Sequence, residues 1–511
     1  MQSALDQLVA AELIIRRGIP PDASYRFKHA LVQDAAYQSL LKSKCQQLHA
    51  RIAKVLESEF PEIVASEPEL LARHWTDARA TEQAVRYWRH AGVRASERFA
   101  YAEAVHYFST GLRLLDHLPP SVARDRHELL LCLALGPALM SKGSWSAPEV
   151  GATYLRAHEL ARQHGEPSEL FAATWGLWFH NSQSANHEAA RRLTTELIAV
   201  AEGQGDSEML LQAHHAAWTT HEHLGDAVLC REHALQGIDL YRADQHHHHV
   251  LSYGGHDPGV CARFHDAGAL WQLGYPDQAL QSAHDAVELG RQLAHPPSLL
   301  PAMYYLGTVH WWRRETGQAR RCAEEVIAFC RQHHMPHYLG PAQVMRGWAI
   351  TVAEGRCAGI AHIEQGLTDL EIGGPQLRRA ECLIMLSEAR RSLSEFDLAL
   401  DALEQAKSFL GRSGLRRSAP EVMRLEGELL LASSPERGRA EACFHEALGM
   451  ARDQHARILE LRAATSFARL WADQGQQQKA HDLLAPVYGW FTEGFDTADL
   501  KDAKALLDAL G

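Results

Sequence analysis

A chain of 511 residues with 46% apolar residues has room for several compact domains or one long repeat array. Its net charge of −12 argues against general nucleic-acid binding, which needs a basic footprint, and its longest apolar run, Leu129 to Met140 with Gly136 and Pro137 inside, is too short to span a bilayer. Nine scattered cysteines with no CxxC pair, and no basic segment at the start, fit free thiols in a reducing, cytoplasmic setting without a signal peptide.

The first sixty residues differ from the rest. Residues 2–12 predict a short helix, 13–17 a strand, 18–24 a Gly/Pro-rich turn and 25–28 a returning strand, followed by helices over about 29–43 and 45–59. A helix and then a hairpin form the second half of a winged-helix unit. Its first segment, the recognition helix in a DNA reader, carries Asp6 and Glu12 and no Lys or Arg. A packing role is therefore expected there, and no nucleic acid.

From residue 61 to about 490 a short pattern recurs: a small residue, an apolar one four positions on, a small one three after that. Ala104/Phe108/Gly111, Ala399/Leu403/Ala406 and Ala440/Phe444/Ala447 are clean copies; looser ones start at Val150, Ala189, Ala227, Ala279, Ala319, Gly359 and Ala480. From Ala279 onward the starts lie 40 or 41 residues apart. A period of that size marks a stack of helix hairpins. Residues 259–294 carry the grammar: an apolar-periodic stretch closed by Gly274, a Tyr275-Pro276-Asp277 turn, then Ala279, Ala283, Ala286 and Leu289 on one face. This is the logic of tetratricopeptide (TPR) repeats at a longer period. The predicted fold class is all-α, a TPR-like helix-hairpin solenoid with a small N-terminal α+β winged-helix remnant. Residues 491–511 predict a capping helix.

The register breaks between Ala227 and Ala279, 52 residues apart. The extra segment, near 243–258, holds His246 to His249 and then Tyr253-Gly254-Gly255-His256-Asp257-Pro258-Gly259. Insertions in solenoids map to loops, often on a binding face, and this Gly/Pro density predicts a defined turn.

Three segments then look familiar. YRFKHALVQDAAY, Tyr25 to Tyr37, resembles the end of the winged-helix arm of STAND-type signalling ATPases. YGGHDPGVCARFHDAGALWQLGYPDQAL, Tyr253 to Leu280, and LLAPVYGWFTEGFDTADLKDAK, Leu483 to Lys504, resemble the repeat region and end of bacterial proteins in which a class III adenylate/guanylate cyclase domain precedes a P-loop ATPase and a TPR-like tail. The resemblance implies a sensor or scaffold portion that binds a protein or small-molecule signal and relays it to an NTPase or cyclase module packed on residues 1–60. Neither active site is in the chain: no GxxxxGK[ST], HExxH or GxSxG occurs, so no enzyme and no cofactor are expected. A TPR-containing transcription-regulator fragment and a truncated reading frame without activity of its own remain alternatives.

Of 32 histidines, 21 fall between His158 and His337, and seven of twelve tryptophans between Trp175 and Trp348. Trp175 and Trp178 share one first helix; His214, Trp218 and His221 share a face of the next; Tyr304 and Trp311 recur two units on. With Tyr253, His256 and Asp257 of the inserted loop, they are the candidate residues for a groove that takes a peptide or small aromatic ligand. The competing reading is that the rings are core residues bridging neighbouring repeats. No metal site is expected: consecutive histidines cannot all point at one ion, no Cys or carboxylate stands at ligand spacing, and the run reads as a solvated loop.

Overall fold

The computed structural model describes residues 2–20, 23–143, 145–251, 253–373, 376–433 and 437–511. Pro21 and Asp22 of the expected turn, and Ser252 of the inserted stretch, lie outside them. The chain divides into two compact units, Met1–Leu135 and Gly136–Gly511.

The first unit opens with the helix Gln2–Ala10 and a two-stranded antiparallel hairpin, Ile14–Arg17 with Ser24–Phe27, in the register Ile14 opposite Phe27. The helices Ala30–Gln38 and Lys42–Glu59 follow. Little of this module is buried. Ile19, Leu31 and Leu41 are 83%, 82% and 77% exposed, and Ile15, Tyr37 and Phe60 are uncovered as well. The hairpin Pro68–Asp77/Thr81–Glu97 and the helix Tyr101–Leu115 come next, and the helix Val122–Lys142 spans the division at Leu135. The hairpin packs Leu71, Trp75, Ala84 and Trp88 against Ala53 of the Lys42–Glu59 helix.

The second unit is a TPR-like solenoid of helix hairpins. From residue 258 the pairs are Pro258–Leu273/Pro276–Gln292, Pro296–Trp312/Thr316–Gln332, Leu339–Glu354/Ala358–Gly373, Arg379–Ser392/Phe396–Ser413, Ala419–Ser433/Arg437–Asp453 and Arg457–Asp473/Gln477–Tyr488. The helix Ala498–Leu510 packs on the last pair. The recurring small residues Ala279, Ala319, Ala399, Ala440 and Ala480 have no exposed surface, so each second helix seats its small stripe on a neighbour. The tight turns described inside the hairpins place one residue at positive φ. Gly274 and Gly355 supply it without a Cβ penalty, whereas Arg314 and Ser394 occupy the same turn at φ 60°.

The two helices of a pair have different surroundings. In Pro276–Gln292 one face is buried, as for any amphipathic helix. In Pro258–Leu273 every residue is buried except Arg263 and Leu273. The superhelix closes on itself: Pro258–Leu273 touches Arg457–Asp473, the Arg416 amide donates to the His223 carbonyl at 3.1 Å, and Gln454 Nε2 donates to the Arg416 carbonyl at 2.9 Å. First helices therefore meet other first helices across the axis.

The pair Leu339–Glu354/Ala358–Gly373 is held by glycines at seven-residue spacing. A Cβ on Gly340 would lie 2.6 Å from the Gly366 carbonyl oxygen, and one on Gly347 would overlap that of Gly359. The obstacle is backbone, which cannot rotate away. Gly347→Ala is expected to cost about 1–3 kcal/mol through overpacking. A urea midpoint equal to that of the unchanged chain would show the two helices are further apart.

Candidate functional site

The helix Ser207–Leu224 carries two parallel stripes. One holds His214 and His221, both half-buried, which meet His233 with ring centroids 5.2 and 5.7 Å away. The other is polar and faces the axis: Gln212, His215, Thr219 and Glu222, spaced three or four residues apart. Asp206 starts this helix by accepting from the Glu208 and Met209 amides at 2.8 and 3.2 Å.

Around the axial stripe lies a small cavity of about 40 Å³, lined by Trp178, Phe179, His215, His256, Tyr305 and Arg378 among others. Its lining mixes aromatic rings with polar side chains such as Gln183 and Thr219. His215 stacks on Trp218 with centroids 5.0 Å apart and meets Trp178 edge-on at 5.9 Å. Beyond His265 and Thr219, also in its lining, begins a buried ion-pair spine. Glu222, with no exposed surface, accepts from Arg417 at 2.6 Å and from the Tyr305 hydroxyl at 2.9 Å, and its Oε2 lies 2.6 Å from His265 Nδ1. Arg417 also meets Glu381 at 3.6 Å, which pairs with Arg378 at 3.3 Å. A second cluster further along joins Glu421 to Arg424 at 2.7 Å and to Arg462 at 3.2 Å, and Arg462 to Asp499 at 2.9 Å. Burial alone would raise the Glu222 carboxyl, but Arg417 and His265 outweigh it and hold it well below the ordinary range. Burial also holds His223 and His265 below the usual imidazole value.

A larger cleft, of about 520 Å³, lies in the first unit between Glu57 and Glu97. It is open and rimmed by exposed His90, Val93 and Glu97, so it offers a ligand little enclosure.

The candidate residues separate accordingly. Trp175, Trp178 and Trp218 have no exposed surface and Tyr304 is 1% exposed, which corrects the expectation of an open groove lined by these rings. Closure of the superhelix turns its inner surface into core. Trp311, 7% exposed, donates from Nε1 to Glu388 at 3.1 Å. Tyr304 packs on Tyr338. Trp178 and His256 do line the cavity, and Tyr253 closes against Trp175 at 5.2 Å between centroids. Asp257 is buried as the cap of Pro258–Leu273: its Oδ1 accepts from the Gly259 and Val260 amides at 2.9 and 3.1 Å, and its Oδ2 from the Tyr241 hydroxyl at 2.9 Å.

The four-histidine run is not a solvated loop. It forms the short helix Ala243–His246 and a 3₁₀ turn, with His246 and His249 4% and 2% exposed. His246 Nδ1 accepts from the Arg242 amide at 2.9 Å, and His247 Nδ1 lies 2.9 Å from Asp257 Oδ2. His215, Glu222, His265, Arg378 and Arg417 escaped the sequence reading. The usable signal was the stripe Gln212/His215/Thr219/Glu222, one residue out of phase with the one chosen.

No protein-family profile matches the chain. It is similar to an uncharacterized protein of Rhizobium meliloti, 24% identical over 473 residues, covering 92% of this chain and 46% of that protein. The chain thus spans about half the length of the curated relative it matches. Among solved structures it is similar to a Rap protein complexed with competence and sporulation factor, with a TM-score of 0.49, 13% identity and coverage of 73% of this chain and 99% of that one. It is also similar to a signal transduction ATPase with numerous domains and a tetratricopeptide repeat sensor from Pyrococcus horikoshii, with a TM-score of 0.35, 12% identity and coverage of 92% and 90%.

Proposed function

We propose that this chain is the signal-receiving, helical-repeat part of a longer nucleotide-driven signalling assembly. It receives a signal at the axial cavity, which has room for an ion or a ligand group of that size, and passes its state to an NTPase or cyclase module seated on residues 1–60. The observation that carries this reading is the cavity's position against the ion-pair spine. A ligand beside His265 and Arg378 acts on the same charges that tie Glu222 to Arg417, 195 residues away. Moving one buried charge shifts the balance of the whole set, because each partner is desolvated. The uncovered apolar residues of the N-terminal module, Ile19 and Leu31 foremost, support a protein partner there. The resemblance of residues 25–37 to the arm of STAND-type ATPases supports the kind of partner.

The test is a pull-down from native cytosol with the intact chain as bait, followed by measurement of nucleotide turnover and cyclase activity in the eluate. The expected result is retention of one such activity, lost when Ile19→Asp and Leu31→Asp are combined. An eluate without either activity overturns the relay.

A further inference from the structure

We propose that His215, His256 and Cys261 form a binding site for a borderline-soft divalent transition metal of the zinc class. These residues come from two elements, His215 from Ser207–Leu224 and the other two from the turn into Pro258–Leu273 and its first turn. His215 Nε2 lies 3.2 Å from His256 Nε2 and 3.3 Å from Cys261 Sγ, and all three donor atoms lie within 4.8 Å of one another. Zinc–nitrogen bonds of about 2.0–2.1 Å and zinc–sulfur bonds of about 2.3 Å give a tetrahedron with edges of about 3.3–3.6 Å. Two of the three edges are thus already near the length a bound ion requires, and the third is the one an ion would draw in.

The hydrogen bonds behind these atoms fix which nitrogens bear protons. The Glu208 carboxylate only accepts, so His249 Nε2, 3.3 Å away, donates to it. His249 Nδ1 then accepts from Gln212 Nε2 at 2.9 Å, and Gln212 Oε1 accepts from His215 Nδ1 at 3.1 Å. His256 Nδ1 donates to the Gly254 carbonyl at 3.1 Å. Both Nε2 atoms therefore carry lone pairs, and they face each other. The Cys261 thiol proton can satisfy one of them and leaves the other opposed to its neighbour. A cation between the three donors satisfies all of them, with the thiol proton released to solvent. Rings held through Nδ1 by carbonyl acceptors are the arrangement that orients histidine ligands of metals. Trp218 and Trp178 form the dry wall, and the adjoining cavity leaves the fourth position open to a water or a ligand atom.

This deepens the sensor reading by naming what the axial site holds, and it is tested apart from the relay because metal uptake is read on the isolated chain. The metal-free chain, purified without nickel chromatography, is titrated with Co²⁺ and then Zn²⁺. One equivalent of Co²⁺ is expected to give a thiolate-to-metal charge-transfer band and strong tetrahedral d–d absorption, both displaced by Zn²⁺. Cys261→Ser removes the charge-transfer band. Gln212→Ala, which frees the His215 ring, weakens affinity about 10–100-fold, and His256→Ala weakens it further. His248→Ala, in the partly exposed Glu208/His248/His249 group and outside the chain that orients His215, leaves the band in place. Saturating Co²⁺ without a thiolate band in the unsubstituted chain overturns the proposal, whatever the variants do. So does uptake that survives Cys261→Ser and His256→Ala.

Discussion

Glu222→Ala lowers the stability of the folded chain by about 3–5 kcal/mol, read as a fall in the urea midpoint. The mutation does not merely remove a good contact. It strands Arg417, 6% exposed, with Glu381 at 3.6 Å and the Trp312 ring face at 4.2 Å as its remaining partners among the described residues, and it removes the acceptor of the Tyr305 hydroxyl. A buried charge without its partner costs far more than an intact pair contributes. The double change Glu222→Leu with Arg417→Met is therefore expected to recover most of the loss, with a coupling well outside additivity. Loss of less than about 1 kcal/mol in the single variant would mean that water reaches the spine. The pH sign follows from the depressed carboxyl. Its stabilisation is full above 4.5, the unfolded value, and fades as pH falls below that toward the folded value.

Acid acts earlier through histidines that the fold keeps neutral. His187 has no exposed surface, neither ring nitrogen has a partner among the described residues, and burial holds its pKa at about 4. His337, stacked on Trp145 with centroids 4.5 Å apart, is lowered to about 4 for the same reason. Above pH 6.5 neither the folded nor the unfolded chain is protonated there, and nothing changes. Between 6.5 and 4 the unfolded chain takes up protons that the folded one refuses, so stability falls with falling pH across that window. Each ring is worth about 2–3 kcal/mol by its lower end, less for the partly exposed His337. The melting temperature is expected to drop steeply between pH 7 and pH 5, and His187→Leu to flatten that slope. An unchanged slope would place the acid sensitivity elsewhere.

The repeat was legible because its signals are local. Ala279, Ala319, Ala399, Ala440 and Ala480 needed no knowledge of distant chain to be read as packed faces, and all are buried. The N-terminal hairpin was legible from β-branched residues around a Gly/Pro turn, and it pairs Ile14 with Phe27. The closure of the superhelix was not. No local pattern links Glu222 to Arg417, and none marks Arg378 and Arg417, 3% and 6% exposed, as buried. Phase on the Ser207–Leu224 helix was the other loss. His214 and His215 are neighbours in sequence, but about 100° of rotation separates a half-buried flank from the axis.

Open solenoids gain and lose units freely, because each contacts only its neighbours. The Glu222–Arg417 pair removes that freedom here. Deleting or duplicating any forty-residue hairpin between them would carry Arg417 a whole unit past its carboxylate and leave both charges buried without a partner. Repeat number in this stretch is thus fixed by electrostatics, as strand number is fixed in a closed barrel. Lineages that carry this pair should vary in loop length and at the ends of the array, but not in the count of hairpins between the two residues.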